Sequence, residues 1–209
     1  MRERPRCRLE PRPADLTDNI VVTTPDIVLR LLDGTAAAAQ ATDLHALHAE
    51  VYADPPFERH DDAVLFAERF RVQRRQPGFV LAAAHRGGYL IGYAAGMPLR
   101  PSTSWWRDLT TPLSADVTAE YPGRTFALIE MLVRSSWRRQ GIGRALHELI
   151  LQGRREERAT LTVPPTATAA QSAFRSWGWS KVGRTRAADP GSPLLDVLVV
   201  TLPVGYQPG

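Results

Sequence analysis

The sequence predicts one α/β domain, with strands and helices interleaved along a 209-residue chain. Three observations point there. Apolar runs of strand length, around 26–32, 78–84, 89–96, 125–134 and 158–163, alternate with stretches of helical periodicity. Gly141 and Gly143 follow a strand directly and open an amphipathic helix. The length and a hydrophobic share of 44% suit one core large enough to hold without staples, and Cys7, the only cysteine, cannot form an internal disulfide.

Residues 1–24 are polar and rich in Pro and Arg and read as a flexible basic extension; 25–204 read as the domain. Residues 26–32 form a first strand, ended by Asp33-Gly34. From Thr35 to about Val51 the chain is Ala-rich and helical, and Pro55-Pro56 stops it because proline cannot continue a helix. A second helix spans 61–76, with Leu65, Phe66, Phe70 and Val72 on one side. Residues 78–84 and 89–96, broken at Gly87-Gly88, form a hairpin. Residues 97–124 are irregular and carry Trp105-Trp106, which either line a cleft or anchor the segment; a loop of that length is a functional cover or disordered. A strand covers 125–134. A helix follows over 141–157, with Ile142, Ala145, Leu146, Leu149, Ile150 and Gly153 inward and His147 on the polar side. After a strand at 158–163 comes a short helix at 168–177, for which Thr168 and Gln171 suit a capping box. Strands near 179–185 and 195–202 finish the chain.

Several function classes fall away. No apolar run approaches the roughly 18–20 residues of a membrane span, and the N-terminus lacks the apolar core of a secretory signal, so a cytoplasmic protein with no membrane partner is expected. The net charge of +4 comes almost wholly from Arg, Lys181 being the only lysine; the total reads as compositional bias, the cluster at 134–144 as attraction for an anion. Zinc-finger spacing and aromatic ribonucleoprotein motifs are missing, so nucleic acid is not an expected partner. His45-x-x-His48 lacks a third ligand and reads as a surface pair, so no metal is expected. Neither Gly-x-Ser-x-Gly nor His-Glu-x-x-His occurs.

The stretch 133–146 is the most informative. A strand, a turn, Arg138-x-x-Gly141-x-Gly143 and a helix present backbone N–H groups and a positive helix end to an anion. A Walker-type loop is excluded because no lysine follows the glycines. The dinucleotide fingerprint is excluded because Leu146 stands where its third Gly or Ala belongs.

Arg138-Arg-Gln-Gly-Ile-Gly143 resembles the Arg/Gln-x-x-Gly-x-Gly/Ala signature of the GNAT superfamily of N-acyltransferases. Residues 130–137 resemble the approach to that loop, with Ser135 where proline is usual. Phe174-Arg-Ser-Trp-Gly-Trp179 is similar to the family's Tyr-x-x-x-Gly-Phe ending, and the element order matches over roughly 25–203. The resemblance implies an α/β (α+β) fold: a mixed, largely antiparallel sheet of six to seven strands, flanked by helices and splayed between its fourth and fifth strands. It also implies acetyl-CoA as cosubstrate and no metal. The pyrophosphate would be held by Arg138, Arg139, Gln140, Gly141, Ile142, Gly143 and Arg144, and the thioester and pantetheine by backbone N–H groups of Leu132, Val133 and Arg134.

Glu130 is the expected general base. An acid in an otherwise apolar strand is expensive unless solvated or paired, and the position matches the family's frequent catalytic carboxylate. The competing reading is an ion pair with Arg134 or Arg138. The family's frequent general acid is a tyrosine where this chain has Phe174, and Ala167 stands where an Asn is common. The acid is then elsewhere, with Tyr121 and Tyr52 as candidates, or water protonates the thiolate. Asp54, Glu58, Asp61 and Asp62 lie where acceptors bind in the family. The expectation is an N-acetyltransferase acting on a primary amine of a small-molecule acceptor by direct attack in a ternary complex. The alternative is an acyl-CoA-binding regulatory protein of the same fold with little or no catalysis. Pairing of C-terminal strands would give a homodimer.

Overall fold

The computed structural model describes residues 20–24, 26–53, 63–186 and 192–204; Cys7 and the acids Asp54, Glu58, Asp61 and Asp62 lie outside these residues. The elements in chain order are β1 (Ile20–Thr24), β2 (Ile27–Asp33), α1 (Gly34–Ala38), α2 (Ala41–Tyr52), α3 (Ala63–Gln73), β3 (Val80–Arg86), β4 (Tyr89–Pro98), α4 (Ala115–Thr118), β5 (Thr125–Val133), α5 (Ile142–Leu151), β6 (Arg158–Val163), α6 (Thr168–Ser176), β7 (Ser180–Thr185) and β8 (Leu195–Thr201).

The strands form one eight-stranded sheet in the order β1-β2-β3-β4-β5-β6-β8-β7, one strand more than the six or seven expected. The additional strand is β1, a β-branched run inside the stretch read as a flexible extension, which pairs antiparallel with β2. Every neighbouring pair is antiparallel except β5 and β6. A parallel pair needs a long crossover, and α5 supplies it.

The middle of the sheet is buried on both faces. Along β3, Val80, Ala82 and Ala84 join the core under α5 and α6, while Leu81 and Ala83 join the core under α1, α2 and α3. Such a strand reads as a near-continuous apolar run, which is why 78–84 carries no polar alternation.

Two irregularities shape the centre. The β4–β5 register pairs Ala95 with Glu130 but Gly96 with Leu128, so Ile129 is an extra residue in β5. Before this bulge Phe126 and Leu128 face α5; after it Met131 and Val133 do, and Leu132 turns to the α2–α3 side. Gly96 lies beside the bulge, and a Cβ there would overlap the Phe126 ring and the Ala127 carbonyl. The second irregularity is the splay. The β5–β6 ladder is confined to Thr125–Ala127 against Arg158–Thr160, after which β6 continues against β8 and β5 continues against β4 alone.

Several expected elements differ. The helix expected over 35–51 is two helices: Asp33 Oδ1 accepts from the N–H groups of Thr35 (2.9 Å) and Ala36 (2.7 Å) and starts α1, which ends at Ala38, and α2 begins at Ala41 after Gln40 leaves the helical conformation. Leu65 and Val72 are exposed while Phe66 and Phe70 are buried, since residues seven apart share a face about 100° away from the other pair. The helix expected to reach residue 157 ends at Leu151, where Gln152 becomes extended and Gly153 takes a φ of 68°. His147 is buried rather than on a polar side: its Nε2 accepts from Trp179 Nε1 at 2.9 Å, and burial lowers its pKa to about 4. The capping box of Thr168 and Gln171 is not made; Ala167 is the cap residue, and Gln171 Nε2 donates to Asp196 Oδ2 at 3.1 Å.

Residues 97–124 are tied down. Trp106 is buried and donates to Glu120 Oε1 at 2.9 Å, with Arg158 over its ring, so this tryptophan anchors the segment. The segment also reaches the outer side of β7, where Thr110 N–H donates to the Arg184 carbonyl (2.9 Å) and Arg186 N–H to the Asp108 carbonyl (3.1 Å).

Candidate active site

The splay opens a cleft of about 570 Å³ between β5 and β6. Its floor is β5 from Leu128 to Leu132. One wall is formed by His48, Tyr52, Arg69 and Gln73 of α2 and α3, the other by 161–166, Ala170 and Phe174.

Glu130 sits on this floor with its side chain only 15% exposed. The bulge decides which way it points. Without Ile129 as an extra residue, Glu130 would follow Phe126 and Leu128 toward α5; with it, Glu130 shares the side of Leu132 and meets α2. Tyr52 Oη donates to Glu130 Oε1 at 2.8 Å. Glu130 Oε2 lies 3.9 Å from both His48 Nε2 and Arg69 Nη2, and those two nitrogens are 3.2 Å apart. The competing ion pairs are not made. Arg134, buried at the end of β5, pairs with Glu50 of α2 and donates through Nε to the Leu90 carbonyl at 2.8 Å, and Arg138 Nε donates to the Val133 carbonyl at 3.0 Å.

His48 was missed as a site residue, the His45/His48 pair reading as a surface feature. Its ring is buried and stacks on Tyr52 with centroids 4.3 Å apart. The available signal was helical spacing: His48 lies in the stripe of Leu44, Leu47 and Val51 that faces the core. Among the described residues no group of three or more His, Cys, Asp or Glu could hold a metal ion.

The backbone at the cleft corrects one expectation. Leu132, Val133 and Arg134 were all to offer N–H groups to the thioester. Arg134 N–H donates to the Ile91 carbonyl at 3.0 Å, and hydrogen-bonding direction alternates along an antiparallel strand, so Leu132 N–H also faces β4. Val133 alone of the three points away from β4 toward the opening, as its carbonyl, taken by Arg138, confirms.

Beyond Val133 the chain makes a 3-10 turn (Ser135–Trp137) and enters the glycine loop. Arg139 has a φ of 61° and Gly141 a φ of 81°. Left-handed residues in such a turn aim successive N–H groups into one concavity, an anion-binding arrangement. Gly141 is the cap residue of α5 and no side chain caps the first turn. The amides of Gly141, Ile142, Gly143 and Arg144 therefore lie at the positive end of a helix. The side chains are held otherwise: Gln140 Nε2 donates to the Ser136 carbonyl (3.2 Å) and Arg144 Nε to Glu148 Oε1 (2.8 Å).

Phe174 lines the opposite wall, buried and edge-on to Trp177 (5.5 Å) and Trp179 (5.7 Å). Of the two tyrosines named as alternative acids, Tyr121 is far from the cleft in its bonding: its hydroxyl donates to the Glu157 carboxylate at 2.7 and 2.8 Å, and that bond raises its pKa. Tyr52 lines the cleft.

A sheet splayed at a parallel pair, with a glycine loop feeding a helix beside the gap, is the arrangement that the sequence resemblance implied. The acetyltransferase (GNAT) family model matches residues 41–179, and the chain belongs to that family. Among solved structures, a GNAT-family protein of Desulfovibrio desulfuricans superposes with a TM-score of 0.59 at 15% identity, covering 84% of this chain and 98% of its own. The ribosomal-protein-S18-alanine N-acetyltransferase of Escherichia coli has a TM-score of 0.58 at 15% identity, covering 87% and 96%. An aminoglycoside 6'-acetyltransferase type Ii has a TM-score of 0.58 at 17% identity, covering 86% and 99%. No curated protein matches the sequence.

Proposed function

We propose that this acetyltransferase moves an acetyl group from acetyl-CoA to a primary amine of a small-molecule acceptor, by direct attack in a ternary complex, with Glu130 as general base. The observation that carries the reading is the position of Glu130: on the floor of the cleft, in the strand whose end turns the Val133 amide to the opening and then enters the glycine loop.

An alkylamine with a pKa near ~10.4 is neutral at pH 7 in only about one molecule in a few thousand, a barrier contribution of roughly 4–5 kcal/mol. A carboxylate in the cleft accepts that proton, directly or through water, as the amine attacks. Val133 N–H is the donor for the oxygen of the tetrahedral intermediate. The amides from Gly141 to Arg144 hold the pyrophosphate of the cosubstrate. The thiolate of CoA has a conjugate acid near ~8.5 and leaves without a dedicated acid, water supplying the proton.

The neighbours' named acceptors, a ribosomal protein and aminoglycosides, point in different directions. The size of the opening favours a small acceptor, since about 570 Å³ falls within the usual range of small-ligand pockets. Acetyl-CoA as cosubstrate goes with a cytoplasmic location, and no helix among the described residues is long and apolar enough to cross a membrane.

The test is acetyl-CoA consumption over a panel of primary amines and N-terminal peptides. Turnover is expected with small amines, and Glu130→Gln should lower kcat by about 100-fold or more with little change in the KM for acetyl-CoA. An unchanged rate would remove Glu130 from the role. CoA binding with no thioester consumed for any amine would favour the regulatory alternative.

A further inference from the structure

We infer that Tyr52 is a positioning residue for the catalytic carboxylate: its hydrogen bond to Oε1 fixes the orientation of Glu130 and favours the ionised form. The inference rests on the reading of Glu130 as base. The two carboxylate oxygens have different surroundings. Oε1 accepts the Tyr52 hydroxyl at 2.8 Å, within normal hydrogen-bond length. Oε2 lies 3.9 Å from His48 Nε2 and from Arg69 Nη2, too far for a direct bond to either and within reach of the Arg69 charge.

The support for Tyr52 is itself buried. Its ring stacks on buried His48, one helical turn earlier on α2, with centroids 4.3 Å apart. His48 Nε2 is 3.2 Å from Arg69 Nη2. An arginine only donates, so the ring nitrogen facing it is placed to accept. The buried, stacked ring of His48 is thus a prop for Tyr52. Among the described residues, the titratable and charged groups lining the cleft are His48 and Tyr52 from α2, Arg69 from α3, and Glu130 itself.

A donor bonded to the ionised carboxylate stabilises it over the protonated acid. Losing the donor must therefore raise the pH at which Glu130 takes up a proton. A charge-assisted hydrogen bond of ordinary strength corresponds to a shift of about one pH unit.

The experiment is a carbon-13 carboxyl titration of the full chain by NMR, with the Glu130 resonance identified by its disappearance in Glu130→Gln. Tyr52→Phe should move the Glu130 midpoint up by about one unit. In the pH profile of acetyl-CoA consumption, measured with the best amine of the panel, the acidic limb should move by the same amount. His48→Gln, which keeps an acceptor for Arg69 but loses the stacking ring, should move the midpoint in the same direction. A midpoint unchanged in a folded Tyr52→Phe protein would overturn the positioning role while leaving Glu130 as base. Should Glu130→Gln retain full turnover, the base reading fails instead, and the titration still reports whether Tyr52 holds the carboxylate.

Discussion

Phe174 is the residue at which this chain departs most from its family's expected chemistry. It occupies the cleft wall opposite Glu130, pinned edge-on by Trp177 and Trp179, and carries no proton to give. Restoring a hydroxyl tests whether departure of the thiolate limits the rate. Phe174→Tyr should raise kcat, by up to the ~10²-fold lower range of general acid catalysis, with the KM for acetyl-CoA little altered. Steady-state kinetics at pH 7 decide the matter, and an unchanged kcat would mean that water already protonates the leaving group fast enough. Single residues were unevenly legible. Glu130 stood out because a lone acid in an apolar strand must have a reason. His48 did not, because the contact that defines it, Tyr52 stacked on its ring and Glu130 beyond, comes from folding α2 against β5.

At the scale of elements, strands and helices followed from period and punctuation, and the glycine loop from its residue types. The irregularities that make a site of them did not. A β-bulge has no reliable local signature here: Leu128, Ile129 and Glu130 read as uninterrupted strand, yet one uncounted residue sends the carboxylate to the α2–α3 side. The splay was likewise inferred from family resemblance and not from the strand sequences. The direction of the amides, with Val133 outward and Arg134 inward, is a property of register alone. The glycine loop offers a prediction at this scale. Gly141 has a φ of 81°, and a Cβ there meets nothing within 4 Å, so Gly141→Ala adds no clash and only forces a left-handed backbone on an L residue. That costs about 1–2 kcal/mol. A Tm lower by a few degrees and a raised KM for acetyl-CoA, with kcat kept, are expected from calorimetry and initial rates.

For the whole molecule, His147 ties acid stability to the packing of α5 on the C-terminal part of the core. Burial lowers its pKa to about 4, from an ordinary 6.5, so the folded state binds this proton less readily than the unfolded chain. The contribution is present in full above pH 6.5 and is lost as pH falls from there through 4, amounting to about 3 kcal/mol by pH 4. His147→Gln keeps an acceptor for the Trp179 N–H and does not titrate. Urea unfolding should therefore show a smaller loss of stability between pH 7 and 4 in the variant than in the parent; equal losses would assign acid sensitivity to other groups. At the far end of the sheet, the strap of Asp108–Thr110 along β7 has a consequence for self-association. A strand added at that end of β7 would meet Arg184 and Arg186 backbone groups that the chain already bonds to itself. A partner adding a strand there must first peel the strap away, breaking internal hydrogen bonds to make equivalent ones, for little net gain. The long insertion thus works as an end stop, covering the Arg184–Arg186 end of the sheet edge with bonds that an added strand would have to displace.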